Sequence, residues 1–142
     1  MSKRLSDKYR LLVKAARTAR KKAHAPYSHF KVGAALLTND GQVYSGCNIE
    51  NSSYGLTICA ERTALFKGIS EGARKFRAIA IVADEASITP PCGACRQVLW
   101  ELAGNIDVLL PAGTRTTVKK LQSLLPIAFD SKRLSRRKKR KL

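Results

Sequence analysis

Residues 90–110 read Pro-Pro-Cys-Gly-Ala-Cys-Arg-Gln-Val-Leu-Trp-Glu-Leu-Ala-Gly-Asn-Ile-Asp-Val-Leu-Leu. The two prolines mark a start, Val98, Leu99 and Leu102 recur at helical spacing, and Gly104 supplies a stop, so Cys92 to Ala103 is expected to be a helix. Ile106 to Leu110 then reads as a strand. Upstream, Phe76 to Ala83 is another nearly continuous apolar run, suited to a strand covered on both faces. Strand, helix and strand in that order define the centre of an α/β domain.

The flanking segments extend this unit. Cys59 to Gly68 carries Ala64, Leu65 and Phe66 and reads as a second helix. Val32 to Thr38 and Val43 to Asn48 flank Asn39-Asp40-Gly41, which makes a β-hairpin. Leu5, Tyr9, Leu12, Val13, Ala16, Ala19 and Ala23 fall three or four apart, so Leu5 to Ala23 is an amphipathic helix with Lys and Arg on its other faces. Val118 to Leu125 is expected to be a last helix, stopped by Pro126. A hairpin followed by helix, strand, helix and strand implies a mixed sheet with helices packed on it. No internal repeat interrupts the pattern.

The chain has 142 residues, a length suited to one domain with a real core, and its 44% apolar content argues against wholesale disorder. No apolar run approaches the ~20 residues of a membrane span, and the N-terminus is charged, unlike a signal-peptide core. A membrane-spanning or secreted protein is not expected. The formal charge of +17 points at first to a nucleic-acid binder. Its distribution argues otherwise. Residues 1–24 hold nine Lys and Arg against one acid, and residues 131–142 hold eight against none. Residues 25–130 hold ten against nine, so a nearly neutral body carries two cationic ends.

Four cysteines occur, Cys47, Cys59, Cys92 and Cys95. Cys92 and Cys95, three apart at a helix start, lie on one face, and Cys59 opens the other helix. Free N–H groups and the helix dipole at such starts favour thiolates. Three thiolates leave a zinc ion one open position, the arrangement of a catalytic metal. A four-cysteine structural site including Cys47, a disulfide, and a redox Cys-x-x-Cys stay open on spacing alone. Structural sites usually draw on two close pairs, whereas Cys47 and Cys59 are twelve apart. A redox pair would leave Cys59 and Glu61 without a task.

Cys59-Ala60-Glu61 followed by Pro91-Cys92-Gly93-Ala94-Cys95 resembles the zinc-dependent cytidine deaminases of the small, homotetrameric, three-cysteine type. The likeness continues in Ala25-Pro26-Tyr27-Ser28-His29-Phe30-Lys31-Val32-Gly33-Ala34-Ala35-Leu36 and in Gly46-Cys47-Asn48-Ile49-Glu50-Asn51-Ser52-Ser53-Tyr54. It reaches Leu124-Leu125-Pro126 and Ala128-Phe129, spanning roughly residues 8–134. The resemblance implies a three-layer α/β/α fold, with a mixed sheet of about five strands and helices on both faces. It implies a domain over 1–134 and a basic tail over 135–142. It also implies one zinc ion on Cys59, Cys92 and Cys95, with Glu61 as the proton carrier for deamination of cytidine and 2′-deoxycytidine. Arg62 would donate to ligand sulfurs, offsetting the −1 that three thiolates leave on the metal.

By the same resemblance Phe30 packs on the pyrimidine, Ala60 contacts substrate, and Asn48 and Glu50 bond the ribose 3′-hydroxyl. Ser52, Tyr54, Gly55 and Phe129 match positions that complete a neighbouring subunit's site. A carboxylate at Glu50 accepts from a free 3′-hydroxyl and repels a 3′-phosphate, which disfavours a polynucleotide substrate. Cys47 is read as a small packed side chain, and His24 and His29 as non-ligands. A cytoplasmic enzyme of pyrimidine salvage is expected. The run Arg136 to Lys141 is the largest departure, suited to acidic partners, nucleic acid, or a nuclear signal in a eukaryotic host.

Overall fold

The computed structural model describes residues 4–83 and 86–135. The basic run Arg136 to Lys141 lies outside the described residues. Helix α1 (Asp7–Arg20) starts on Ser6, whose hydroxyl accepts from the Tyr9 amide, and buries Leu12, Val13, Ala16 and Ala19. The hairpin β1 (Gly33–Thr38) and β2 (Val43–Cys47) follows, then a 3-10 turn at Tyr54–Leu56 and helix α2 (Ala60–Ser70). Strand β3 (Phe76–Val82), helix α3 (Gly93–Ala103) and strand β4 (Asp107–Ala112) form the central unit read from the sequence.

The strands lie in the order β2-β1-β3-β4, with a fifth, β5 (Arg115–Lys120), beside β4. Only β3 and β4 run parallel. Leu12, Val13 and Ala16 of α1 pack on Ala35, Leu37, Ala78, Ala80, Val82 and Leu109. The opposite face takes α2 and α3 through Ala60, Ala64, Leu65 and Leu99, against Leu36, Ile79, Ile81, Val108 and Leu110. The expected three-layer α/β/α arrangement is therefore present, with helices on both faces.

One element differs from the sequence reading. Residues 115–120 are a strand, and only Leu121–Leu124 forms a helical turn (α4), where a helix over Val118 to Leu125 was expected. Gly113, at φ 60°, turns the chain back, and the Lys120 ammonium meets Asp107 at 2.9 Å, in register with the β4–β5 pairing. Thr116, Thr117 and Val118 are β-branched and suit a strand. A last short turn, α5 (Lys132–Ser135), closes the described chain.

Two glycines set how closely the helices approach the hairpin. A Cβ on Gly33 would stand 2.0 Å from the Ala16 carbonyl oxygen of α1, and one on Gly46 would stand 2.5 Å from the Ala64 nitrogen of α2. Both clashes are with backbone, so no side chain can swing away to relieve them. Gly46→Ala is expected to lower unfolding free energy by about 1–3 kcal/mol, read from denaturant midpoints. A midpoint unchanged from the parent would show that α2 can shift freely over the hairpin.

Candidate metal centre and active site

Three of the expected residues meet where two helices begin. Cys59 and Cys92 are the N-caps of α2 and α3, both in extended conformation, and neither caps its own helix with its sulfur. Cys95 lies one turn into α3 and is fully buried. Among the described residues these three Sγ atoms all lie within 4.8 Å of one another, and Cys59 and Cys92 are 3.8 Å apart. Thiolates on a tetrahedral zinc at ~2.3 Å stand about 3.8 Å apart, so the donor set fits that ion. All four cysteines are free thiols, and Cys47 is not in the cluster. The disulfide and the four-cysteine site left open by spacing are thereby removed.

Charge at the cluster is polarised by its neighbours. Hydrogen bonds from Cys95, then from Arg62 and Cys92, hold the Cys59 thiol down at about 5 against the opposing effect of burial. Its bond with Cys59, followed by burial, pushes the Cys95 thiol well above the ordinary range. The Arg62 Nη2 donates to Cys59 Sγ at 3.4 Å, a contact that draws negative charge from that sulfur. Glu61, in the first turn of α2, is 4% exposed. Burial raises its carboxyl above the usual range, a condition suited to carrying a proton near neutral pH.

The sheet brings the hairpin to the same end. Gly33 pairs with both Cys47 and Val82, so the end of β2, the start of β1 and the end of β3 are level. Asn48, 8% exposed, accepts from the Val32 amide at 2.9 Å and donates to the Phe30 carbonyl at 2.7 Å. It thus holds the segment carrying Phe30, and its carboxamide keeps one hydrogen and one lone pair for a further partner. Phe30 is half-exposed, while Ala60 is fully buried at the head of α2.

Glu50 is more engaged than its sequence reading foresaw. Its Oε1 accepts from the Tyr27 amide at 3.0 Å and the Ser28 amide at 3.2 Å, and its Oε2 accepts from the Ser28 hydroxyl. The Ser28 hydroxyl first, and then the two amides, hold the carboxylate below its ordinary range. The Ser28 oxygen in turn accepts from the Phe30 amide at 3.0 Å. Tyr27, Ser28, Glu50, Tyr54 and Thr57 line a recess of about 390 Å³, with the Tyr27 and Tyr54 rings edge-to-face at 5.9 Å. Ser52, Tyr54, Gly55 and Phe129 all face outward in this single chain.

Two contributors escaped the sequence reading. Ser28 was quoted only as motif, although a serine two residues before an aromatic commonly closes a local turn through its hydroxyl. Arg96 donates to the Pro91 carbonyl at 2.7 Å and the Leu124 carbonyl at 2.8 Å, pinning the chain just before Cys92. A cation in the first turn opposes the helix dipole, and that mismatch was the available signal.

A mixed α/β/α domain holding three thiols and a buried carboxyl at two helix starts defines a zinc-binding hydrolytic frame. The family model described as the cytidine and deoxycytidylate deaminase zinc-binding region matches residues 6–109. A cytidine deaminase of Sporosarcina psychrophila is 52% identical over 129 residues, covering 87% of this chain and 93% of the relative. One from Halalkalibacterium halodurans is 53% identical over 130 residues, covering 85% and 93%. The crystal structure of a cytidine deaminase from Burkholderia pseudomallei superposes with a TM-score of 0.82 at 50% identity, over 88% of this chain and 100% of that one. The chain belongs to the cytidine and deoxycytidylate deaminase zinc-binding family.

Loss of one thiol should empty the site. Cys92→Ala protein, dialysed and analysed by elemental mass spectrometry, is expected to keep less than roughly a tenth of the parent's zinc. Full zinc occupancy in that variant would remove Cys92 from the ligand set.

Proposed function

We propose that this chain catalyses zinc-dependent hydrolytic deamination of cytidine and 2′-deoxycytidine to uridine and deoxyuridine, releasing ammonia, as a step of pyrimidine salvage. The observation that carries this reading is the buried Glu61 carboxyl at the head of α2, two residues past Cys59 in the three-thiol cluster. Cys59, Cys92 and Cys95 would hold the zinc. When bound, zinc supplies Lewis acidity that makes a water molecule nucleophilic toward C4 of the cytosine ring near neutral pH. Glu61 would take a proton from the attacking water and pass it to N3 of the ring, then take the remaining proton from the new C4 hydroxyl and deliver it to the departing amino group. Its raised affinity for protons serves both directions of that transfer. Arg62 draws charge from the Cys59 sulfur, and the free N–H groups of α2 and α3 act the same way.

Phe30, Asn48 and Glu50 provide the nucleoside's frame in this reading. Phe30 offers a ring face to the pyrimidine, the remaining Asn48 donor and the remaining Glu50 lone pair meet the ribose 3′-hydroxyl, and Ala60 contacts the base. The pinned Glu50 carboxylate stays charged and repels a 3′-phosphate, so a free nucleoside suits the site better than an internal residue of a polynucleotide. We place the catalytic domain at residues 1–134 of the chain and treat 135–142 as an accessory basic tail of a cytoplasmic enzyme.

The outward apolar side chains support a homotetramer in which sites are completed between copies. Tyr54 is 75% exposed, Ile127 is 98% exposed, and Leu56 and Phe129 are also open, apolar surface of the kind that contacts between copies cover. Ser52, Tyr54, Gly55 and Phe129 are the residues we assign to the neighbour's site. Light scattering is expected to give a mass of roughly 60 kDa from the 15.6 kDa chain. A fully active 15.6 kDa monomer would contradict site completion between copies.

Replacing the proton carrier separates chemistry from folding. Glu61→Gln is expected to keep its zinc and its melting temperature while losing about 10²–10⁴-fold in kcat for free cytidine, followed by absorbance. Parent-level turnover in the Gln variant would sink the assignment of Glu61.

A further inference from the structure

We propose that Ser28 is a positioning residue that makes the Glu50 carboxylate selective for a hydrogen-bond donor at the 3′ position of the sugar. This rests on the reading of Glu50 as acceptor for the ribose 3′-hydroxyl and adds what confers its selectivity. Three donors already meet the carboxylate. The Tyr27 amide at 3.0 Å and the Ser28 amide at 3.2 Å share Oε1, and the Ser28 hydroxyl donates to Oε2. A carboxylate offers about four lone-pair sites, two on each oxygen. Oε1 is thereby filled, and Oε2 keeps one site. The sugar contact therefore falls on the oxygen that the serine holds. Among the described residues Ser28 is the one side chain hydrogen-bonded to Glu50. Ser28 and Glu50 both line the recess of about 390 Å³, which leaves room for a sugar beside them.

The serine hydrogen has a fixed direction. A hydroxyl has one donor and two acceptor sites, and Ser28 Oγ spends one acceptor site on the Phe30 amide at 3.0 Å. Its hydrogen cannot face that amide and goes to Glu50 Oε2. A one-way chain results, from the Phe30 amide through the serine to the carboxylate, and each bond in it polarises the next. Backbone pairing secures both ends. The His29 amide donates to the Ala25 carbonyl at 3.0 Å, and the Glu50 amide donates to the His24 carbonyl at 2.8 Å. His29, at φ 58°, bends the backbone between Ser28 and Phe30 so that the Phe30 amide returns to the serine oxygen.

One open site on a charged oxygen selects the ligand. A 3′-hydroxyl brings the hydrogen that this site requires. A 3′-hydrogen or 3′-fluorine brings none, and a 3′-phosphate brings charge of the same sign. The Ser28 hydroxyl, more than either amide, keeps the carboxyl ionised and so purely an acceptor. Without that hydroxyl Oε2 has two open sites, and the carboxylate is held through Oε1 alone. It can then turn, or take up a water in the serine's place, and its preference for a substrate donor weakens. Ser28 acts through Glu50, so its influence falls on the sugar and not on the chemistry at C4.

The test measures kcat/KM for cytidine and for 3′-deoxycytidine, by absorbance, with the zinc-loaded parent, Ser28→Ala and Ser28→Thr. Ser28 is exposed, and its truncation opens no cavity in the core. The parent is expected to prefer cytidine by about 10–100-fold, the range of one hydrogen bond to a charged group. Ser28→Ala is expected to shrink that preference about fivefold, the size of a coupling between bonded neighbours, through a higher KM for cytidine. Ser28→Thr keeps the hydroxyl and is expected to keep the preference within about twofold of the parent. A serine that served only the fold would lower both substrates alike, so an unchanged preference in Ser28→Ala overturns the proposal. A Thr variant that behaves as the Ala variant does so too, because the hydroxyl is then not the group that acts. A parent active on both nucleosides without preference removes the Glu50 reading on which the proposal stands, and leaves Glu61 and the thiol cluster untouched.

Discussion

Convergence of two helix starts at one end of the sheet is the constraint from which the site follows. The thiols of Cys59 and Cys92 stand 3.8 Å apart although helix α2 and strand β3 lie between the two residues in sequence. That closeness needs α2 and α3 to lie on one face of the sheet and to begin level with the ends of β2 and β3. Gly46 sets the depth of α2 on the hairpin, and the Arg96 guanidinium sets the entry into α3 by holding the Pro91 carbonyl. With those two contacts in place, Glu61 is carried into the interior by the same helix that presents Cys59. The cluster thiol and the buried carboxyl therefore share one rigid support.

The parts of this arrangement that showed in the sequence are those in which chemistry dictates residue type. Few side chains other than thiols, imidazoles and carboxylates hold zinc, so Cys59, Cys92 and Cys95 favoured a catalytic zinc site before any fold was known, while a disulfide, a redox pair and a four-cysteine site stayed open. Pro90-Pro91 and Gly104 marked the limits of α3 because prolines and glycines act through the backbone locally. The strand β5 did not show, because it borders the sheet: with five of its six residues exposed it has no apolar alternation to read. Val118 to Leu125 therefore looked like a continuation toward the leucines of α4. Its true state depends on pairing with β4 and on the Lys120–Asp107 contact, neither of which is local. The Glu50 network was hidden for a related reason, since two of its three donors are backbone amides that every sequence possesses.

Asn48 and Glu50 show how a polar side chain is kept in position. Each spends part of its hydrogen-bonding capacity on the segment 27–32 and retains a remainder for a ligand. His29, at φ 58°, sits inside that segment, so the backbone there is held in a conformation that most residues avoid. The bonds from Ser28 to Glu50 and from Phe30 to Ser28 supply the restraint. Aromatic face and carboxylate are consequently coupled through one short loop, and neither can be displaced without the other.

The border strand β5 has one more consequence. An unpaired strand edge is a template on which a second copy of the same edge can dock, and repetition of that junction builds an endless ribbon. Here the strand is six residues long and carries Arg115, Lys119 and Lys120, all exposed. Two such borders brought side by side would confront like charges along their whole length. Three cations of the otherwise nearly neutral body therefore oppose growth of the sheet at this edge, and this guards a concentrated protein against fibrous self-association there.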